Sequence, residues 1–417
     1  MRWLRTRWRD LRSGLWLFPG LIVTGLVLLG FAMVRLDRGI GDADVGFGGG
    51  PSAAREVLGA IAGSLVTVAG VTFSVTVVVL QLASSQYSPR ILRGFLGDRV
   101  TQLTAGAFIG SFAYALVVLR SVRDEPEAFV PALGVSLAIV LALAALVLLL
   151  VFIDHIAKLI QVSNLAARIG AETREEIRRA SGDADEPPDH DEAEARVRAW
   201  RERGDPLRIH VSRAGYVQSL AVGDATRRLR PRAARIAFLA GPGDLVDPDE
   251  PVAEIWLEPA PTAGGRAGGE AEPDDVADAV RSAFHVANER DLRGDPGFGI
   301  RQLSDIAIRA LSPGVNDPTT AVTCVAYVRA ALVEAASLPP RQRLADEDGV
   351  QVVLAQRPLD RDAEGLVEIA GHAAGDARVA AAVERAVAAV VRAARASGRH
   401  EEAARVEAAY RAACAAA

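Results

Sequence analysis

The fold of this chain is decided by the stretch Pro131-Ala-Leu-Gly-Val-Ser-Leu-Ala-Ile-Val-Leu-Ala-Leu-Ala-Ala-Leu-Val-Leu-Leu-Leu-Val-Phe-Ile153, which contains no charged residue. The hydrocarbon core of a bilayer is about 30 Å thick, so a helix needs about 20 apolar residues to cross it. Three more apolar stretches precede this one, at Leu15–Val34, Leu58–Leu82 and Thr104–Leu119. The last of these reaches spanning length only with its flanks. The sequence therefore predicts an α-helical integral membrane domain with four transmembrane helices.

The rest of the chain has the composition of a soluble α+β region. Alternating apolar residues from about Leu207 to Leu257 predict a small β-rich module, whose turns resemble those of barrel-sandwich domains. A lipoyl-type carrier is excluded because the chain's single lysine, Lys158, lies outside this segment. Helical patterns follow a linker rich in Gly and Pro. We predict three parts, namely a membrane domain over 1–180, a barrel-sandwich-like module over 194–258 and a mainly helical domain over 273–417.

Local signals place further elements in the soluble region. The fourth membrane helix is predicted to continue through Val162 to about Arg179. A helix is predicted over Asp274–Asn288 and another over Ile300–Leu311. Asp317 is predicted to cap a third helix, with Pro318 at its first position. Val350–Leu354 is predicted to be a short strand.

Basic residues are distributed unequally around the four stretches. The N-terminus, the loop after the second stretch and the exit from the fourth hold 13 Arg and Lys residues, whereas the two opposite loops hold five. Cytoplasmic loops carry the excess of basic residues, so both termini are predicted to be cytoplasmic. Leu4, Trp8 and Leu11 share one helical face, which predicts an interfacial helix before the first span. A short charged tail with aromatic anchors is the alternative.

The second stretch carries a polar face. At 100° per residue, small and polar side chains fall within an arc of about 140°. The candidate pore or helix-packing residues on it are Ser64, Thr67, Gly70, Ser74, Gln81 and Ser85. One interpretation is a packing face inside the bundle, since small residues let helices approach closely. The other is the lining of a permeation path shared between subunits.

Charged residues are absent from the middle of all four stretches. Intramembrane charges usually mark ion-coupled carriers, so their absence argues against such a carrier and leaves a passive channel open. The third stretch contains Gly106 and Gly110, a small-xxx-small spacing typical of helix pairing.

Two charged groups lie where the predicted spans meet the cytoplasm. Arg90 and Arg93 follow the second span, either as an interfacial anchor or as a gating linkage. Asp154 and Lys158 are spaced for an ion pair at the end of the fourth span. His155 is either a solvated histidine or a pH sensor.

The stretch from Gly297 to Ala321 holds the densest group of candidate contact residues. Arg301, Asp305 and Arg309 recur at intervals of four on one helical face. Asn316 and Asp317 lie in the turn before the next helix. Capping, ion pairing and turn chemistry account for this pattern; the alternative is a ligand or subunit contact, in which free N–H groups near Thr319 hold an anion.

Several classes of function have no support in the sequence. The net charge of −5 comes without a basic field, so nucleic-acid binding is not expected. Two distant cysteines and six scattered histidines predict no metal site and no disulfide framework. No nucleophile–base pair or nucleotide loop is found, so we expect neither an enzyme nor a bound cofactor.

Four motifs together resemble one bacterial family. They are Gln86-Tyr-Ser-Pro-Arg90, Phe152-Ile-Asp-His-Ile-Ala157, Gly215-Tyr-Val-Gln218 and Asp305-Ile-Ala-Ile-Arg-Ala-Leu-Ser-Pro-Gly-Val-Asn-Asp-Pro318. This family comprises the predicted membrane proteins of the domain of unknown function numbered twenty-two fifty-four. The resemblance covers about residues 10–400 and implies a bacterial inner-membrane protein with four spans and a cytoplasmic tail. It implies no activity and no catalytic residues.

Two functions remain open from the sequence. The first is an oligomeric channel-like protein with a cytoplasmic regulatory domain, whose partners are the lipid bilayer, further copies of the chain and a permeating ion. Four helices are few for a monomeric pore, so subunits would share it. The second is a membrane-anchored scaffold or sensor whose cytoplasmic domain binds a partner or small ligand.

Overall fold

The structure is a computed structural model that describes most of the chain. The described residues are 17–40, 46–86, 98–124, 128–159, 161–180, 190–229, 234–257, 273–338, 344–347, 350–355 and 357–416. Contacts divide the chain into two compact units, Met1–Asn164 and Leu165–Ala417. The chain is mostly helical, and its two sheets belong to the second unit.

Long helices form at all four apolar stretches of the first unit. They are α1 (Leu17–Ile40), α2 (Pro51–Gln86), α3 (Arg99–Ser121) and α4 (Ala132–Leu159). Helix α3 is the central one, because half of its apolar window is buried, compared with 17% for each of the other three. Its side chains Phe108, Tyr114 and Val118 are almost completely buried. The predicted interfacial helix lies outside the described residues.

Glycines on α3 bring it close to α1. A Cβ atom added at Gly106 would lie 3.0 Å from Cα of Pro19, and one added at Gly110 would lie 2.6 Å from Cδ1 of Leu26. The small-xxx-small spacing of Gly106 and Gly110 therefore marks a helix contact, as predicted, and the partner is α1.

Two carboxylates form hydrogen bonds or ion pairs near helix ends in the first unit. Asp37, near the end of α1, accepts hydrogen bonds from the backbone N–H groups of Leu133 (3.1 Å) and Gly134 (3.0 Å) at the start of α4. These N–H groups have no partner within the helix, so the Asp37 carboxylate caps α4. Arg55 on α2 pairs with Asp124 at 2.7 Å.

The prediction that the fourth membrane helix continues unbroken to Arg179 is wrong. Helix α4 ends at Leu159, and α5 (Val162–Ala180) begins after a break. The carbonyl of Lys158 accepts hydrogen bonds from the backbone N–H of Gln161 (3.3 Å) and from the side-chain amide of Asn164 (3.2 Å). These bonds replace the helical bond to that carbonyl, which ends α4.

The second unit contains a five-stranded and a three-stranded sheet. The helices around them are α6 (His190–Arg203), α7 (Val222–Leu229) and α8 (Pro273–Arg281). The strands are β1 (Leu207–His210), β2 (Gly215–Leu220), β3 (Ala234–Phe238), β4 (Leu245–Val246), β5 (Pro251–Leu257), β6 (Phe284–Ala287), β7 (Leu344–Glu347) and β8 (Val350–Val353). The orders are β1-β5-β3-β8-β7 and β4-β2-β6, and every pair is antiparallel except β3 with β8.

One core lies between the two sheets. Ile236 and Ile255 of the large sheet share it with Val217 and Phe284 of the small sheet, and α7 and α8 contribute to it. On the opposite face of the large sheet, α6 packs Trp200 near Trp256, with ring centroids 5.5 Å apart.

The predicted helix over Asp274–Asn288 is confirmed in its first part and wrong in its second. Helix α8 ends at Arg281, and Phe284–Ala287 forms β6, which pairs with β2. The segment buries Phe284 against Phe238, at a centroid distance of 5.7 Å. Tertiary pairing therefore overrides the local helical pattern.

The barrel-sandwich architecture predicted for residues 194–258 is not confirmed. Strands β2 and β3 of this segment pair with β6 and β8, and β7 extends the large sheet beside β8. These three partner strands come from the region predicted to be mainly helical. The apolar alternation in Leu207–Leu257 indicated strands, but it did not indicate their distant partners.

The remaining helices pack around α9 and α10. They are α9 (Pro296–Ala310), α10 (Pro318–Ser337), α11 (Leu359–His372), α12 (Ala377–Ala396) and α13 (His400–Ala416). Leu303, Leu332 and Leu366 are completely buried among them. Within the described residues, five helices are long and apolar enough to cross a membrane, namely α1 to α4 and α10. The chain is thus a multi-pass membrane protein by composition.

Candidate functional site

The polar face of α2 points away from the other helices of its unit. Over residues 51–81 of α2, where burial is described, the buried residues are Ala54, Leu58, Ala62, Leu65, Thr72 and Val79. At 100° per residue, their mean direction lies about 180° from Ser74. Five of the predicted residues on the polar face, Ser64, Thr67, Gly70, Ser74 and Gln81, are all exposed. Ser85 lies on the same helix.

This exposure bears on whether the face packs against other helices of the same chain. A Cβ atom added at Gly59, Gly63 or Gly70 would meet nothing within 4 Å. The face therefore does not pack inside the bundle of its own chain. It presents glycines and hydroxyls where a lipid-facing helix normally presents apolar side chains.

Hydroxyl groups on the face bond to their own helix. Ser64, Thr67 and Ser74 each donate to the carbonyl oxygen four residues earlier, at 2.8, 2.8 and 2.9 Å. Because these donors are satisfied locally, the face can lie in an apolar environment or beside water.

Glu56 and Ala60 also belong to this face, although they were not predicted as members of it. Glu56 lies five helical turns before Ser74, in the same direction from the helix axis. It is exposed, and no hydrogen bond or ion pair is found for it among the described residues. The signal was a repeat of seven residues, which joins Glu56 to Gly63 and Gly70 and joins Ala60 to Thr67, Ser74 and Gln81.

His155 and Asp98 meet at one end of the bundle. Nε2 of His155 on α4 lies 2.9 Å from Oδ1 of Asp98. The other carboxylate oxygen of Asp98 accepts from the backbone N–H and the hydroxyl of Thr101, both at 2.8 Å, and so caps α3. Asp154 pairs with Lys158 at 2.6 Å. Asp98 was not predicted, because its partner is distant in sequence, and Arg90 and Arg93 lie outside the described residues.

The predicted charged face of α9 forms ion pairs within the second unit. Nε of Arg301 donates to Oδ1 of Asp305 at 2.8 Å, and Nη1 reaches both carboxylate oxygens of Glu368 on α11 at 2.7 Å. Arg309 is exposed one turn further along. Arg301 therefore links α9 to α11, and Asp305 orients its guanidinium.

The turn before α10 is a local structural motif. Asn316 has φ of 46°, in the left-handed region that Asn tolerates better than most residues. Asp317 accepts from the backbone N–H of Thr320 at 3.1 Å and from its hydroxyl at 2.6 Å, and these bonds lower the pKa of Asp317. The first N–H groups of α10 are thus taken by its own cap, which weakens the prediction of an anion at Thr319.

Metal binding finds no geometric support in the described part of the chain. No group of three or more His, Cys, Asp or Glu side chains there could hold a metal ion. The predicted residues thus fall into separate places, with the α2 face and the His155–Asp98 pair in the first unit and the α9–α10 residues in the second.

Comparison with known proteins identifies the family. The family described as "Predicted membrane protein (DUF2254)" matches residues 12–389. Uncharacterized proteins from Mycobacterium bovis and from two strains of Mycobacterium tuberculosis are 30% identical over 328 residues, which are 77% of this chain and 60% of theirs. The chain therefore spans 60% of the length of these curated relatives. No solved structure matches the chain. The match over most of the sequence shows that the chain belongs to the DUF2254 family of predicted membrane proteins.

Proposed function

We propose that this protein is an oligomeric, channel-like protein of the bacterial inner membrane, in which copies of α2 share a permeation path. The observation that supports it is the exposed polar face of α2, directed away from the other helices of its unit. The hydroxyl donors of this face are satisfied within α2, but lipid offers no donors to its outward oxygens and no close packing to its glycines. Neighbouring subunits, or water enclosed between them, provide both.

Four of the five candidate helices cross the membrane in this proposal. Helix α10 is the least hydrophobic of the five and carries Arg329 and Glu334. Glu334 pairs with Arg174 and with Arg178 of α5, the latter at 2.8 Å. A helix held by ion pairs fits the interior of a soluble domain better than a bilayer. The excess of basic residues on one side then puts both termini and the second unit in the cytoplasm.

The path is proposed to be passive. Between Gly59 and Gln81 its lining contains hydroxyls, glycines, one amide and the exposed Val71, Val77 and Val78, with no charged side chain in that interval. Such a surface can replace part of the water around a permeating species without a titrating carrier group. Catalysis and a resident cofactor have no part in this proposal.

Reconstitution into planar bilayers tests the proposal. The variant with Ser64→Ala, Thr67→Ala and Ser74→Ala removes three hydroxyls from the face and should change conductance or selectivity while the protein stays folded. The matched control replaces Thr24, Thr76 and Ser136 with Ala. These hydroxyls also donate to the carbonyl four residues earlier but lie off the face.

Three outcomes contradict the proposal. The first is an absence of flux above that of empty membranes across voltage, tension and pH. The second is equal behaviour of the two triple variants. The third is a strictly monomeric protein in native mass spectrometry, since four helices enclose too little space for water.

A membrane-anchored sensor is the second candidate function. The observation that favours it is an open cleft of about 570 Å³ in the second unit, between the first turns of α10 and α12. Its lining includes Thr319, Val322, Arg378 and Arg385. Under this alternative, a small ligand binds the second unit, a monomer is functional, and the α2 variants leave the function unchanged.

A further inference from the structure

Four charged side chains form a largely buried group in the second unit. We call Arg290, Asp295, Arg357 and Asp362 the charge cluster. Their side chains are 15, 1, 20 and 12% exposed, respectively. Asp295 precedes α9, whereas Asp362 lies in the first turn of α11, so the cluster joins the starts of two helices.

Arg290 and Asp295 form a bidentate ion pair within the charge cluster. Arg290 donates from Nε to Oδ2 of Asp295 at 2.7 Å and from Nη2 to Oδ1 at 2.8 Å. Oδ1 also accepts from the backbone N–H of Phe298 at 3.2 Å, which caps α9. The Arg290 guanidinium lies 5.3 Å from the ring centroid of Phe298. Asp295 thus receives a bidentate guanidinium and a backbone donor.

The other two members, Arg357 and Asp362, are paired incompletely. Nε of Arg357 donates to Oδ1 of Asp362. Nη1 of Arg357 is buried without a hydrogen-bond partner among the described residues and lies 3.9 Å from Oδ1 of Asp295. Asp362 therefore shares the Arg357 guanidinium with Asp295. Of the two carboxylates, Asp362 has its negative charge balanced less completely.

Close packing of α9 limits the access of water to Asp362. A Cβ atom added at Gly297 would overlap Oδ1 of Asp362 and come within 2.8 Å of Nε of Arg357. This burial raises the pKa of Asp362 to about 6; Arg357 and Arg290 oppose the shift, and Asp295 adds to it.

We propose that the charge cluster is a proton-binding site of the second unit and that Asp362 takes the proton. A proton from solvent adds to the Asp362 carboxylate and gives a neutral carboxylic acid, whose carbonyl oxygen still accepts from Nε of Arg357. The folded protein binds this proton more readily than the unfolded chain does, so the proton stabilises the joint between α9 and α11. If the proposed channel function holds, this site gives the cytoplasmic unit its stimulus.

Other charges near α11 bind other residues. Glu402 and Arg405 of α13 contact the backbone N–H of Leu359 and the carboxylate of Asp360, respectively. Arg361 donates to Asp244 at 2.7 Å. On the α9 side, Glu368 pairs with Arg301 two turns further along α11. These groups form their hydrogen bonds and ion pairs outside the charge cluster, and Asp244 also raises the pKa of Arg357 through its charge.

Unfolding of the full chain in detergent, followed by tryptophan fluorescence, tests the site. Trp3, Trp8 and Trp16 are replaced with Phe in every protein compared, so that Trp200 and Trp256 of the second unit give the signal. The wild-type midpoint should rise by about 5 °C between pH 7.5 and about 5, because the folded state binds the extra proton there. Asp362→Asn keeps an acceptor for Arg357 and should remove this rise, with a higher midpoint than the wild type at pH 7.5. Asp360→Asn, on the same helical turn, should keep it.

A pH-dependent rise that persists in Asp362→Asn would overturn the proposal, as would a wild-type midpoint that falls over this range. If Asp362→Asn does not fold, infrared difference spectra of the wild-type protein decide. They should show a buried carboxylic acid forming with a midpoint near pH 6, and its absence refutes the site. Both readouts are independent of ion flux, so failure here leaves the channel proposal standing, and the reverse is also true.

Discussion

Nε2 of His155 on α4 lies 2.9 Å from Oδ1 of Asp98, the residue that caps α3 with its other carboxylate oxygen. The two residues are 57 positions apart in sequence, so this contact joins two helices rather than neighbours within one. Both side chains are partly shielded from solvent, at 29% and 13% exposure.

Removing this contact should destabilise the first unit. Asp98→Ala loses the cap and the histidine together and should lower the free energy of unfolding by about 1–3 kcal/mol. His155→Ala keeps the cap and should cost less. In a double-mutant cycle measured by thermal unfolding in detergent, the coupling should be about 0.5–2 kcal/mol. Strict additivity would contradict the contact.

Two glycine substitutions should separate folding from assembly. Gly110→Leu introduces atoms where α1 already packs and should lower stability by about 1–3 kcal/mol. Gly63→Leu meets open space within its own chain, so the monomer should fold normally while the oligomer weakens. Unfolding curves and native mass spectrometry report the two effects. An unchanged oligomer in Gly63→Leu would place the subunit contact elsewhere.

Glu56 should set charge selectivity if α2 lines a path. Its carboxylate has no partner among the described residues and lies at the end of the face away from Gln81, and symmetry would repeat it around the mouth. Glu56→Gln should lower the cation-to-anion permeability ratio several-fold, and Glu56→Lys should favour anions. Asp124→Asn is the control, since Asp124 pairs with Arg55. Reversal potentials in asymmetric salt give the ratios, and equal shifts in both neutralised variants would indicate a surface charge only.

The cap of α10 should depend on pH in a predictable direction. Thr320 lowers the pKa of Asp317 below its ordinary value of 3.8, so the cap stabilises the fold at neutral pH. Its contribution should vanish as the pH falls through 3.8 and then through the lowered pKa. Asp317→Ala should cost about 0.5–2 kcal/mol at pH 7 and nothing in strong acid. Chemical unfolding at a series of pH values measures the difference.

Local signals in the sequence predicted local structure well. Asp317 and Pro318 predicted the start of α10, and the apolar stretches predicted α1 to α4, because caps and apolar runs act over one or two helical turns. The strand β6 was missed because its partner β2 lies more than 60 residues earlier. The composition of the α2 face was also predictable, but its orientation was not, since only packing against α3 and α4 decides which side is buried. The charge cluster combines residues from two distant segments of the chain, so no sequence motif predicted it.

The hydroxyls of Ser64, Thr67 and Ser74 donate their hydrogen bonds to backbone carbonyl groups of α2 itself. What they present outward is therefore the lone pairs of three oxygens, with no hydrogen to give. Whatever lies opposite this helix meets a ladder of acceptors, which suits a donor or a positive charge and offers little to an anion.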